Sequence, residues 1–439
     1  MSTAMEIAAK ELEELIQAAK VPKDAVDDLK RKTIMEVINV KKRYGTSKSD
    51  IQQAINESPV GATLYFEPGI YEVSGLNIST PLTIEGVDAT FKLDSGATTG
   101  IFTINSDDVT IKNCIFDGNK TDQSNNHALI LVNGENFVFD GNTIRNSYHV
   151  CVQIELDAKF ARITNNYFSD NGHIPNCNAI NCKGSHSIIQ GNIIRNHGNG
   201  WGIRIGRYNT DADQKVEQVV VVNNVIDAIN HVAMGAELDA IHTIFANNQI
   251  TNAPQGIKCD ESDRHVITGN VMKNLHLSTS INLFNSPDCI ISNNFIIDSA
   301  GGIRAGANST IVNNRLENIA IGETGTEGIR AIDGSIVSGN YLKNCNATGI
   351  YVSGEGVVCT ENTIMTTDVD MVRAINAGNA TALKISGNTL IVKDDGSASQ
   401  GIRVLNTVSN YIVTENIMTG ATTAVSDAGV APKYVQNNL

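Results

Sequence analysis

The chain has 439 residues, a formal net charge of −14 and 41% hydrophobic residues, the composition of a soluble, core-forming protein. That acidity argues against nucleic acid as the main partner, because a phosphate backbone wants a basic face. It still leaves room for a local basic groove that binds an acidic polysaccharide. No apolar run approaches the roughly 18 residues of a membrane-spanning helix, so no membrane partner is expected. The eight cysteines form no CxxC pair and no Cys/His cluster with zinc spacing. No structural metal is therefore expected, and Cys114, Cys289 and Cys359 read as small core residues.

The chain begins MSTAMEIAAKELEEL, without a basic stretch followed by an apolar one. The expectation is synthesis in the cytoplasm without a signal peptide, with release by lysis or another route. Residues 1–45 are rich in Ala, Glu, Lys and Leu, and Ile7, Leu12, Leu15, Ile16 and Ala19 follow helical spacing. Pro22 interrupts, and a second helical pattern runs from about Asp24 to Lys42. This predicts a helical segment over 1–45, serving as cap, stalk or attachment module, ahead of one domain over 46–439. Ser49 to Ser58 reads as a short helix, and TLYFEPGIYEV at 63–73 as two strands around a Pro-Gly turn.

From there a repeat takes over. Asn113, Asn142, Asn166, Asn192, Asn224, Asn248, Asn270, Asn294, Asn314, Asn340, Asn362, Asn388 and Asn416 recur about every 25 residues, each with an apolar residue two positions on. The stretches between them are short, β-branched and punctuated by Gly, Asn and Asp. Such a period predicts an all-β solenoid, a single-stranded right-handed parallel β-helix of about 13 rungs stacked about 4.8 Å apart. The asparagines belong at its corners, bonded to turn backbone and to one another, where a left-handed backbone is tolerated. They are structural, not catalytic.

The segment SDIQQAINESPVGATLYFEPGIYEVSG at 49–75, followed by this repeat, resembles the pectate-lyase-like superfamily of parallel β-helix proteins, and within it the phage tailspike depolymerases. The resemblance implies a groove on one β-helix face and a saccharide ligand. It leaves the reaction open among hydrolases, lyases, epimerases and inert adhesins. The chain lacks the Gly-His-Gly of polygalacturonases and the Asp-Pro-His-Glu of alginate epimerases, so no catalytic residue carries over from them. Tailspike-like proteins imply a homotrimer and a virion or extracellular location.

The groove is sought by counting back from the asparagines. Ile130, Ile154 and Ile180 each lie 12 residues before one of them and are read as inward-facing, so the next residue faces out. The outward row then reads Leu131, Glu155, Asn181, Arg204, Glu237, Lys258, Asn282, Arg304, Arg330 and Tyr351. A second row, two residues on, holds Asp157, Lys183, Asp239, Asp260 and Phe284. Charges of both signs gather between 150 and 265. The longest interval, Asn192 to Asn224, carries the only tryptophan, Trp201, with Arg207 and Tyr208, in a loop that could wall a cleft.

Two carboxylates are what glycoside hydrolysis needs. Glu237, Asp239 and Asp260 are the candidate catalytic residues: Glu237 as acid, and Asp260 or Asp239 activating water. Glu155, Asp157, Lys183, Trp201, Arg204, Arg207, Tyr208, Lys258, Asp263 and Arg264 are the candidate substrate contacts. No cofactor is needed for hydrolysis. Elimination from a uronate would use Arg204, Lys258 and Lys183, with Ca²⁺ bridging the acids. An epimerase would add a second proton donor from Tyr208, His173 or His197. A non-catalytic carbohydrate-binding spike would need the groove without the acids.

Overall fold

The computed structural model describes residues 36–124, 126–206, 215–319, 327–367, 371–393 and 399–439. Each turn of the chain contributes three short parallel strands, and equivalent strands stack into three faces, here A, B and C. One turn runs Ile130–Val132 on A, Val138–Asp140 on B and Thr143–Arg145 on C. The C strands form one 15-stranded sheet, whereas A and B merge into a 31-stranded sheet. They merge because Arg373–Ser386 runs through both, pairing with A strands at one end and B strands at the other. The all-β parallel solenoid expected from the period is therefore the fold. It has more turns than the asparagine count of about 13, because the first turns carry no ladder asparagine.

Apolar residues at alternate strand positions fill the interior. In the first turns that filling is aromatic: Phe91 packs against Phe66, Tyr71, Phe102 and Phe116 at centroid distances of 4.8–5.6 Å. Ring pairs at these distances add to the gain from burial. Isoleucine, valine and leucine take over further along, and all eight cysteines are free and buried. Burial pushes the thiols up, that of Cys345 to about 12.

The asparagine ladder runs along the corner between B and C. Asn166 is typical. Its Oδ1 accepts from the Asn142 backbone N–H at 2.9 Å and from Asn142 Nδ2 at 3.2 Å. Its own Nδ2 donates to the Phe139 carbonyl at 2.8 Å and to Asn192 Oδ1 at 2.9 Å. The pattern holds from Asn142 to Asn416, whose N–H reaches Asn438 Oδ1. Asn113 is not a member. The residue in register with Asn142 is Cys114, whose N–H donates to Asn142 Oδ1, while Asn113 sits one position earlier at φ 59°. The left-handed corner belongs to that earlier position throughout, as in Gly141, Asn165, Gly191 and Asn223, and not to the ladder asparagine.

The N-terminal end is closed by helix Lys48–Glu57. Ser47 caps it, Asp50 reciprocates, and Ile51, Ala54 and Ile55 are buried. Ahead of it the described end of the helical run expected from about Asp24 to Lys42 is not continuous helix, and its residues before 36 lie outside the described ones. Val37–Asn39 is a strand that pairs with Thr63–Tyr65, followed by one helical turn at Val40–Arg43. The alternation of exposed Val37 and buried Ile38 favours a strand there. Ile7, Leu12, Leu15, Ile16 and Ala19 lie outside the described residues. No described helix is long and apolar enough to cross a membrane.

Candidate functional site

Strand pairing fixes which side chains meet on the outside of face A. One outward row reads Gln153, Asn181, Arg204, Gly235, Lys258, Asn282 and Arg304 on successive turns. A second row, two residues on, carries Gly206, Glu237, Asp260 and Phe284. Lys183 and Glu155 follow Cys182 and Ile154, which are themselves in register. Glu155 and Glu237 thus sit in the second row, not the first. Counting back from the ladder slips by two at these turns because the corners differ in length. Inward and outward are preserved by a slip of two, so only the row is wrong.

The second row and its neighbours form a partly buried ionic network. Glu237 Oε2 accepts from Arg204 Nε at 3.0 Å, and Glu237 Oε1 accepts from Lys258 Nζ at 2.8 Å. The same Nζ lies 3.1 Å from Asp260 Oδ2. The Arg204 and Glu237 side chains are only 7% and 15% exposed, so the pairs are poorly screened. Burial alone would lower the Lys258 ammonium, but hydrogen bonds and charge from Glu237 and Asp260 outweigh it, and the net shift is upward. Two turns toward the N-terminus, Lys183 Nζ holds Glu155 at 2.7 Å, and Gln153 Nε2 donates to the same carboxylate.

Trp201 borders this network. It sits at the corner entering face A, 6% exposed, with Lys258 Nζ 5.6 Å from its ring centroid. The ring lies over Gly235. A Cβ there would come within 2.8 Å of it and 1.8 Å of the Lys258 carbonyl, so only glycine fits. Trp201 is therefore buried beside the charges and is not an open stacking platform. His231, absent from the sequence expectations, lies 6.3 Å from the Trp201 ring. Desolvation, then the Lys258 charge, hold its imidazole below the ordinary value.

Other expected residues lie elsewhere. Asp239 is not on the strand face: the backbone turns left-handed at Leu238 and Asp239, and the Asp239 N–H donates to the Glu261 carbonyl at 3.0 Å. Asp239 and Asp263 line a hollow of about 120 Å³ at the next corner, with Lys215 and Glu261. Arg264 is half exposed, 4.0 Å from Asp263. Asp157 is on an exposed turn. Arg207 and Tyr208 lie outside the described residues. His197 is fully buried with Nε2 on the Cys177 carbonyl, and burial lowers it to about 4. His173 stacks on Tyr148 at 5.3 Å. The structure thus brings Glu237, Asp260, Lys258, Arg204 and Trp201 together, with Lys183 and Glu155 nearby.

Comparison with known proteins places the fold. A family model described as a right-handed β-helix region matches residues 79–214. The tailspike protein of E. coli bacteriophage HK620, solved in complex with pentasaccharide, is 12% identical over 88% of this chain and 76% of that one, with TM-score 0.54. This chain is a right-handed parallel β-helix of the pectate-lyase-like fold. The A-module of a mannuronan C-5 epimerase from Azotobacter vinelandii also matches, at 14% identity over 91% of this chain and 98% of that one, with TM-score 0.42. No curated protein sequence matches. A second family model, described as periplasmic copper-binding protein (NosD), matches residues 234–393. Among the described residues no three His, Cys, Asp or Glu side chains are grouped to hold a metal ion.

Proposed function

We propose that face A binds a polysaccharide and that this β-helix is a glycosidase working with Glu237 and Asp260. The observation that carries the reading is their register. Paired on adjacent strands, they both reach Lys258 Nζ, which puts Glu237 Oε1 and Asp260 Oδ2 within about 6 Å of each other. That upper bound admits the separation for retention, about 5–5.5 Å, and falls short of that for inversion, about 6.5–9.5 Å. Both Glu237 oxygens accept from cations, the setting of a nucleophile; Asp260 touches the same Lys258 at one oxygen only, and serves as the acid–base partner once the bound sugar takes Lys258 from it. Asp239 drops out of the pair. Arg204 and Lys258 hold the acids in place and meet the sugar.

The neighbour solved with a pentasaccharide supports a saccharide ligand. As a phage tailspike it also supports a virion or extracellular setting, and the periplasmic family description agrees with a site outside the cytoplasm. A second reading, elimination from a uronate, is favoured by one observation: Lys258 is held cationic beside the acids and can neutralise a sugar carboxylate. Ca²⁺ bridging Glu237 and Asp260 would have to displace Lys258 from both.

The test is a panel of bacterial and plant polysaccharides, following reducing ends and the ultraviolet absorbance of unsaturated uronates. Reducing ends alone indicate hydrolysis; both signals indicate elimination. Glu237→Gln should lower turnover by about 10³-fold or more with the fold retained. Full activity in that variant would overturn the assignment.

A further inference from the structure

Beyond Lys258 the outward row of face A changes character. Arg304 and Arg330 are direct register partners, followed turn by turn by Tyr351, Asn376 and Arg403. Arg373 lies on the same strand as Asn376, one turn from Arg403. Four arginines thus fall on one face of a chain whose net charge is −14. None has a carboxylate partner among the described residues, in contrast to Arg204 and Lys258.

They are nonetheless held in place. The Arg304 guanidinium lies 5.4 Å from the Phe284 ring centroid, and that of Arg330 lies 5.1 Å from Tyr351. Stacking on a ring orients the planar fork and leaves its N–H edge free for an oxyanion. Arg373 and Arg403 are close enough for their charges to interact: desolvation and then the Arg403 charge lower Arg373, and the Arg373 Nε is buried with no partner among the described residues. The Asn282 and Asn376 side-chain oxygens in the same row are also buried and unpaired. Among the described residues this row lacks the cross-strand acids that would make it an ion-paired sheet face.

We propose that the row from Arg304 to Arg403 is an extended binding surface for a polyanionic glycan. The chain lies along the solenoid axis with its carboxylates or sulfates on the guanidiniums and its sugar faces on Phe284 and Tyr351. Turns about 4.8 Å apart give the anions a regular ladder of partners. The inference deepens the polysaccharide reading by naming the substrate as acidic, and it rests on the groove but not on the chemistry at Glu237.

The test is equilibrium binding of the full chain to polygalacturonate, to dextran sulfate and to neutral dextran. Both polyanions, or one of them, should bind, with affinity falling steeply as salt is raised, and neutral dextran should not. A preference between the two identifies carboxylate or sulfate as the anion. Arg304→Gln/Arg330→Gln should weaken binding about tenfold or more, and Arg330→Lys should retain part of it. An unchanged melting temperature checks the fold. Lys273→Gln, which removes a positive charge from face C, should bind like the parent, and turnover of Glu237→Gln is read separately, so this inference and the catalytic one can fail independently. Equal binding of neutral and acidic chains, or no loss in the double variant, overturns the proposal.

Discussion

His265 shows what one buried residue does to the stability of this fold. It is fully buried, its Nδ1 accepts the Thr243 backbone N–H at 3.2 Å, and burial lowers it to about 3. The neutral ring is therefore the native form, and a proton on Nδ1 would break that bond. In the unfolded chain the imidazole returns to about 6.5. Between those values the unfolded state binds a proton that the folded state refuses, so stability falls as pH drops from about 6.5 toward 3 and is flat above. His197, lowered to about 4, adds to the same slope. Melting temperature measured from pH 8 to pH 4 should decline below pH 6.5. A variant His265→Gln, even if less stable at pH 8, should decline less steeply. An identical slope in that variant would assign the acid sensitivity elsewhere.

At the scale of the repeating element, the ladder asparagine is the residue the solenoid spends most hydrogen bonds on. Asn294 donates to the Ile267 carbonyl and to Asn314 Oδ1, both at 2.9 Å, and accepts from the N–H and Nδ2 of Asn270 at 3.0 and 2.9 Å. Asn294→Ala orphans a buried N–H and a buried carbonyl at once and should cost about 2–4 kcal/mol, read by urea denaturation. A loss under about 0.5 kcal/mol would mean that water replaces the amide there. This regularity is why the fold was legible in the sequence. The ladder's true start was not, because Asn113 and Asn142 sit in similar local strings and only strand pairing shows Cys114 in register. Nor were the rows of face A. The corner from A to B varies in length, from Val132–Val138 to Ile154–Arg162, so positions counted from the ladder drift by two at Glu155 and Glu237. Arg204 and Lys258 kept their row, and Asp260 its neighbour. Asp239 was lost to a left-handed turn that alternation cannot foresee. Gly235 offered a signal that passed unused: a glycine inside a strand marks close approach by another group, here Trp201.

Across the whole molecule, each turn touches only its neighbours, so stability should behave as a sum along one axis and not as a single unit. The N-terminal cap tests this. Helix Lys48–Glu57 is bonded to the first A strand through Gln52, whose side chain donates to the Asn77 carbonyl at 2.9 Å and accepts the Asn77 N–H at 2.8 Å. Ile51 seals the core beneath it at 0% exposure. Ile51→Ala should cost about 2–4 kcal/mol, and in a nearest-neighbour solenoid that cost is felt where it is made. Amide exchange in Thr63–Phe66 and Leu76–Ile78 should then quicken about a hundredfold, while Ile290–Ser292 and Thr310–Val312 keep their protection. The groove residues from Arg204 to Asp260 lie several turns from the cap, so saccharide binding should survive the change. If all turns instead lost protection together, the aromatic stack and the asparagine ladder would have to couple the ends. A lesion at the cap would then weaken the groove as well.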